Sequence, residues 1–513
     1  MRGWTWQAAG DALLSILQIF DQEIVMGLKD MLTDPDLLRF QCYIDGAWSD
    51  AADGGTLDVT NPATGAVLGT VPAMGAGETR LAISAADRAL PEWRAKTAKE
   101  RASILMRWFS LIMENQEDLA KLMTAEQGKP LMEARGEIAY GASFIEWFAE
   151  EAKRVYGDTI PSQSSDKRIV VIKQPIGVVA AITPWNFPSA MITRKVGPAL
   201  AVGCTVVVKP ASQTPYSALA LAELAERAGV PKGVLNVVTG SSKEIGGEMT
   251  SNDTVRKLTF TGSTEIGRVL LAQCAPTIKK TSMELGGNAP FIVFEDADID
   301  AAVQGAMISK YRNTGQTCVC SNRFYIQESV YDVFAEKLIQ AVQNLKVGDG
   351  MQQGVTQGPL IDESAVKKIE SHIADAKSKG ATVLEGGKAH ALGSTFFEPT
   401  VMTGVSQDML VARDETFGPL AALIRFKDEK EVIAMANDTE FGLAAYFYAR
   451  DLARVWRCAE ALEYGIVGIN TGIISTEVAP FGGVKQSGSG REGSKYGIED
   501  YLEIKYLCMG GLE

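Results

Sequence analysis

At 513 residues, 46% of them hydrophobic and 50 of them glycine, the chain is too long for one compact core and too apolar for disorder, so two or three α/β domains are expected. A net charge of −13 argues against nucleic-acid binding, although individual arginines can still hold a small anion. Seven irregularly spaced cysteines without a CxxC pair argue against a disulfide framework or a metal site and favour a reducing cytoplasm, and with only His372 and His390 available imidazole-based triads are hard to build.

Residues 1–34 read as a flexible N-terminal extension. Its apolar block at 13–20 is far short of a membrane span and lacks the flanks of a secretory signal. Met26 or Met31 would serve as an internal start, so a translated leader is one reading. From 43 to 71 short strands alternate with turns, and helical periodicity then runs through 77–93, 97–124 and 129–153. Between Lys173 and Arg194 twenty residues carry no charge, but Pro175, Pro184 and Pro188 break the run, so a buried strand followed by a loop is expected rather than a membrane helix.

Strands near 178–182, 205–208, 234–238 and 257–261 then alternate with helices near 189–202, 215–229, 243–251 and 263–275. This order predicts a parallel sheet covered by helices, with ligands at the strand C-terminal ends. A second α/β region follows Gly286, with strands near 291–294, 324–327, 382–385, 420–425 and 466–470.

Three loops, each following a strand of the first sheet, carry chemistry. PWNFP at 184–188 brings Trp185 and the Asn186 amide; KPAS at 209–212 brings a cation, Lys209, after an apolar strand; FTGSTEIG at 260–267 opens a helix beside Gly262 and Ser263. The last could cradle a phosphate on a helix N-terminus or could be an ordinary cap built from small residues. Lys209 could face a ribose or its phosphate, or simply end a strand at the surface. Glu284, before Leu285 and two glycines, is either a solvated strand-end acid or, if buried, a base with a raised pKa. Cys318, in GQTCVCSNR after Gly315, looks like a presented thiol, although a single cysteine is more often a small core residue.

Together, PWNFP, VKPAS, FTGSTEIG, MELGG, GQTCVCSNR and the DETFGP run holding Glu415 occur in this order, and the chain from about 38 to 513 resembles the NAD(P)-dependent aldehyde dehydrogenase superfamily. The resemblance implies a Rossmann-type cofactor domain at 35–158 and 176–285, an α/β catalytic domain at 286–486, and an oligomerisation element at 159–175 and 487–513. It further implies that Cys318 attacks an aldehyde, that Asn186 and the Cys318 N–H hold the oxyanion, and that Glu284 activates water to hydrolyse the thioester. Trp185, Asn186, Lys209, Pro210, Ala211, Ser212, Gly262, Ser263, Leu285 and Glu415 would hold the dinucleotide. Ser212 stands where many NAD-preferring members carry glutamate, so NADP is the expected cofactor, with NAD possible.

Runs such as AMITRKVGPAL, TEFGLAAYFYARD and REGSKYGIEDYLEIKY resemble the NADP-dependent succinate-semialdehyde dehydrogenase subgroup. That likeness implies Arg194, Arg312 and Ser475 as anchors for a distal carboxylate, against a bland alternative of helix-surface ion pairs. Tyr311 departs from the phenylalanine common there. Cys320 is implied as a possible redox partner of Cys318, although a bridge across one residue is strained and a bystander role is open. The expected partners are a small semialdehyde and a second copy, as homodimer or homotetramer, with no nucleic acid, metal or membrane. Glutarate semialdehyde is an alternative substrate; a CoA-acylating relative is disfavoured by Glu284, and a non-catalytic relative by the retained thiol, base and amide.

Overall fold

Apolar β-branched runs such as VVAAI and TVVVK suit strands buried on both faces, and helices cover them. The computed structural model describes residues 27–512. Its largest sheet has eight strands, in the order Gly488–Ser489, Lys280–Glu284, Val255–Thr261, Val178–Ile182, Thr205–Lys209, Leu235–Val237, Cys42–Ile44, Ala47–Ser49. The middle five are parallel. From Val178–Ile182 the chain steps outward through Thr205–Lys209 to Leu235–Val237, then returns to Val255–Thr261 on the opposite flank. The reversal leaves a crevice beyond the C-terminal ends of Val178–Ile182 and Val255–Thr261, the place where an open α/β sheet takes its ligand.

A second sheet of seven strands runs Thr382–Glu385, Thr400–Thr403, Leu420–Phe426, Ser321–Gln327, Ala289–Val293, Ala444–Tyr448, Ile466–Ile469. All but its first pairing are parallel. Two apolar clusters fill its faces, one around Phe447 and Ile424, the other around Phe291 and Phe324. A third, three-stranded sheet pairs Leu502–Met509 with Arg168–Pro175 and then Asp158–Ile160, and leaves Ile504 and Tyr506 exposed.

Several expectations change in detail. The periodic stretch 97–124 is two helices, Ala98–Glu114 and Gln116–Gln127, because Asn115 leaves helical geometry between them. The first of these opens on a capping box in which Thr97 and Glu100 satisfy each other's backbone N–H. The uncharged run splits into the strand Val178–Ile182, a loop, and the helix Ala190–Val202; among the described residues no helix is long and apolar enough to cross a membrane. The apolar block at 13–20 lies outside the described residues. Residues 28–34 do not behave as a loose extension: Leu28 and Leu32 are buried in the first core, and Asp34 pairs with Arg227.

Candidate active site

Three strand ends of the first sheet and three segments of the second region meet at the crevice. Trp185, Asn186, Gly262, Ser263, Leu285, Cys318 and Glu415 line one cleft of about 410 Å³, together with Lys368 and with Phe417, whose ring meets Trp185 edge-on at 5.6 Å. Ser263 caps the helix Thr264–Cys274, its hydroxyl accepting from Ile266 N at 3.4 Å. The positive end of that helix therefore opens on the cleft. The Glu415 carboxylate accepts from Gly287 N at 3.0 Å, and burial raises it to about 7. A Cβ at Gly286 would approach the other Glu415 oxygen to 3.1 Å, so glycine there lets the acid reach the cleft. A cleft with an apolar indole and Leu285 wall, a helix N-terminus for a pyrophosphate and a carboxylate for ribose hydroxyls fits a nicotinamide dinucleotide.

The remaining expected cofactor residues, Lys209, Pro210, Ala211 and Ser212, do not line this cleft. They sit at the neighbouring strand end, where Lys209 pairs with Ile182 across the sheet. Lys209 is buried, its Nζ donates to the Pro210 carbonyl at 3.1 Å, and burial lowers it to about 8.

Cys318 is half-buried and opens on the cleft. The three residues Asn313, Thr314 and Gly315 before it all take positive φ, of 52°, 57° and 74°. Two consecutive non-glycine residues in that region store strain, and the loop survives because it is held at many points. Asn313 Nδ2 donates to the Asn186 carbonyl at 2.9 Å, and its own N–H donates to Glu133 at 2.8 Å. Thr314 donates to the Gly358 carbonyl at 3.1 Å, and the Gln316 amide accepts from Ile361 N at 2.9 Å. A Cβ on Gly287 would come within 2.3 Å of the Cys318 carbonyl, so the MELGG loop packs directly on the thiol's backbone. The Asn186 amide spends one hydrogen on the Gln316 carbonyl at 3.0 Å, which leaves its second N–H available. Burial raises the Cys318 thiol to about 12; Arg194 opposes this, while Glu415 and Glu284 reinforce it.

Glu284 is buried, and neither carboxylate oxygen has a hydrogen-bond partner among the described residues. Burial and then Glu492 hold its carboxyl well above the usual range, against Arg194, Lys195 and Arg491. Behind it sits a charge cluster that the sequence reading missed apart from Arg194. Glu492 forms ion pairs with both Arg194 and Lys195, all three buried. Burial would raise Glu492, but Arg194 and Lys195 overcome it and hold the carboxyl below its ordinary value. A second missed pair, Lys129 with Glu137, fixes the Asn186 loop: Lys129 donates to the Asn186 carbonyl at 2.8 Å and Glu137 accepts from Ser189 N at 3.0 Å.

Of the three expected anchors, Arg194 and Arg312 both act on Tyr140 of the helix Leu131–Glu151. Arg194 stacks on Phe481 with its guanidinium carbon 4.4 Å from the ring, and its Nη2 is buried without a hydrogen-bond partner among the described residues. Arg312 lies 5.5 Å over Phe187. Ser475 is half-buried on the 471–480 loop. Tyr140, which the sequence reading missed, has a buried, unpartnered hydroxyl in the field of both arginines.

The aldehyde dehydrogenase family matches residues 48–507. The chain is 73% identical over 481 residues to a glutarate-semialdehyde dehydrogenase of Pseudomonas aeruginosa, covering 94% of this chain and 100% of that one. It is 71% identical over 479 residues to an NADP-dependent succinate-semialdehyde dehydrogenase of Escherichia coli, covering 93% and 99%. A crystal structure described as an E. coli NADP-dependent enzyme superposes with a TM-score of 0.93 at 71% identity, over 93% of this chain and 100% of that one. The chain belongs to the aldehyde dehydrogenase family and is an NAD(P)-dependent aldehyde dehydrogenase.

Proposed function

We propose that the protein oxidises a short semialdehyde bearing a distal carboxylate, succinate semialdehyde or its one-carbon-longer glutarate homologue, to the dicarboxylate, with NADP as the preferred acceptor. The observation that carries this reading is the buried, unpartnered Nη2 of Arg194, with Arg312 and the Tyr140 hydroxyl nearby. Donors left unsatisfied in an interior are costly and mark a place where an anion completes the set. The two relatives named above divide between the two substrates, which fits a site that reads the carboxylate more strongly than the chain length.

Cys318 attacks the carbonyl carbon to give a thiohemiacetal, whose oxygen is held by the free Asn186 N–H and the Cys318 backbone N–H. Each such donor is worth roughly 3 kcal/mol of barrier. The nicotinamide, when bound, accepts the hydride. Loss of hydride leaves a thioester on Cys318, and Glu284 removes a proton from the water that hydrolyses it. The raised thiol and carboxyl both need deprotonation, so turnover rises toward alkaline pH.

Lys209, beside a Ser212 that carries no charge, favours a ribose 2′-phosphate. Arg194, Arg312 and Ser475 serve as carboxylate anchors. The exposed edge formed by Leu502–Met509 is the proposed contact with a second copy, in a homodimer or homotetramer. All seven cysteines are free, which fits a cytoplasmic location.

Steady-state kinetics on malonate, succinate and glutarate semialdehydes and on neutral aldehydes of equal length, each with NADP and NAD, test the proposal. Succinate and glutarate semialdehydes should exceed their neutral counterparts in kcat/KM by roughly 100-fold, about 3 kcal/mol. Equal turnover of the neutral aldehydes would overturn the substrate assignment, and a strong NAD preference the cofactor assignment.

A further inference from the structure

Cys320 stands two positions after the nucleophile but in a different environment. Its buried thiol donates to the Lys310 carbonyl at 3.5 Å and to the Ser321 carbonyl at 3.6 Å, whereas Cys318 opens on the cleft. Against that sulfur lies the side chain of Lys310 itself. Lys310 has 0% of its surface exposed, and its Nζ makes no satisfactory hydrogen bond among the described residues.

The two segments are tied together by the Ser321 hydroxyl donating to the Ser309 hydroxyl at 2.8 Å. A lysine withdrawn from water with no carboxylate paired to it is expensive as an ammonium and cheaper as the amine. Burial accordingly lowers Lys310 and raises Cys320. The interior therefore holds a lysine whose charge is costly beside a thiol, and the dehydrogenase reaction uses neither.

We propose that Lys310 and Cys320 form an oxidation-sensitive pair, in which a sulfenic acid made on Cys320 by hydrogen peroxide is captured by the Lys310 amine as a sulfur–nitrogen bond. Peroxide removes two electrons from the sulfur, placing one oxygen on it and releasing one water. The Lys310 nitrogen lone pair then attacks the sulfur, the S–O bond breaks, and the departing hydroxide leaves as a second water with one N–H proton. A nitrogen capturing a sulfenic acid in this way is known chemistry. Two equivalents of an external thiol reverse it, restoring amine and thiol while forming an external disulfide. The bond would staple the end of the helix Ile299–Tyr311 to the segment following the nucleophile and shield Cys320 from further oxidation. A disulfide to Cys318 would instead require the Cys320 sulfur to leave its hydrogen bonds and close a strained ring across Val319.

The full-length protein is treated with a few equivalents of hydrogen peroxide, digested without reductant, and its peptides are sequenced by mass spectrometry. The expected product is a Lys310–Cys320 cross-linked peptide lighter by two hydrogens, which dithiothreitol returns to the two free peptides. In Lys310→Gln the same dose should carry Cys320 on to its sulfinic acid. A disulfide between Cys318 and Cys320, a Cys320 that stays unmodified, or an identical oxidation course in wild type and Lys310→Gln would each overturn the proposal.

Discussion

The wall of the cleft and the charge cluster behind it use the same residue types in opposite ways. Around the thiol at that wall, Glu284 has two unbonded carboxylate oxygens, Arg194 has an Nη2 without a partner among the described residues, and the Asn186 amide keeps one hydrogen unused. Behind it, Lys129 is closed by Glu137 and the Asn186 carbonyl, and Lys195 by Glu492. Groups that will meet a ligand carry the cost of incomplete hydrogen bonding; groups that hold them are satisfied within the protein. Mutations on the two sides should therefore separate, activity responding on the wall and stability behind it.

The largest stability effect is expected from Lys129→Met, which strands Glu137 as an unpaired buried charge and should cost roughly 3–5 kcal/mol. Denaturant unfolding measures it, and a loss under 1 kcal/mol would show that the pair does not hold the Asn186 loop. Asn186→Ala removes an oxyanion donor and should lower kcat about 100-fold, roughly 3 kcal/mol, with little change in unfolding. Arg312→Ala should raise KM for succinate semialdehyde by roughly 30-fold, about 2 kcal/mol, while leaving a neutral aldehyde unaffected. The smallest effect concerns pH. With Lys209 lowered to about 8, its charge is present below that pH and lost above it, so a 2′-phosphate is bound more weakly on the alkaline side. KM for NADP should rise roughly fivefold from pH 7 to 9, about 1 kcal/mol, while KM for NAD stays level. Parallel rises for both cofactors would take Lys209 out of phosphate recognition.

The same division explains what could be read from the sequence. The wall is written in short runs next to strands, so Trp185, Asn186, Gly262, Ser263, Leu285, Cys318 and Glu415 could be named before the fold, and they share one cleft. The supporting charges give no local signal: Lys195 and Glu492 are 297 positions apart, and only folding makes them neighbours. Tyr140 is hidden for a related reason, since its place on an amphipathic helix looks like ordinary packing until its hydroxyl is found unpartnered.

Among the elements, VVAAI and TVVVK announce buried strands through β-branched runs. AAYFY at 444–448 is as deeply buried, but it sits among glycine, alanine and aromatic residues with no alternation and was not recognised as a central strand. Thr400–Thr403 is too short to stand out. The sequence reading set Lys209 and Ser212 with the cleft residues because each follows a strand, whereas the sheet places them one strand further along.

The central claim is that Cys318 carries the acyl group and Glu284 releases it. Glu284→Gln, mixed with NADP and succinate semialdehyde, should give a burst of one NADPH per active site and a protein heavier by one succinyl group, mapped to Cys318. Steady turnover without a burst, or an acyl group found on another residue, would contradict it.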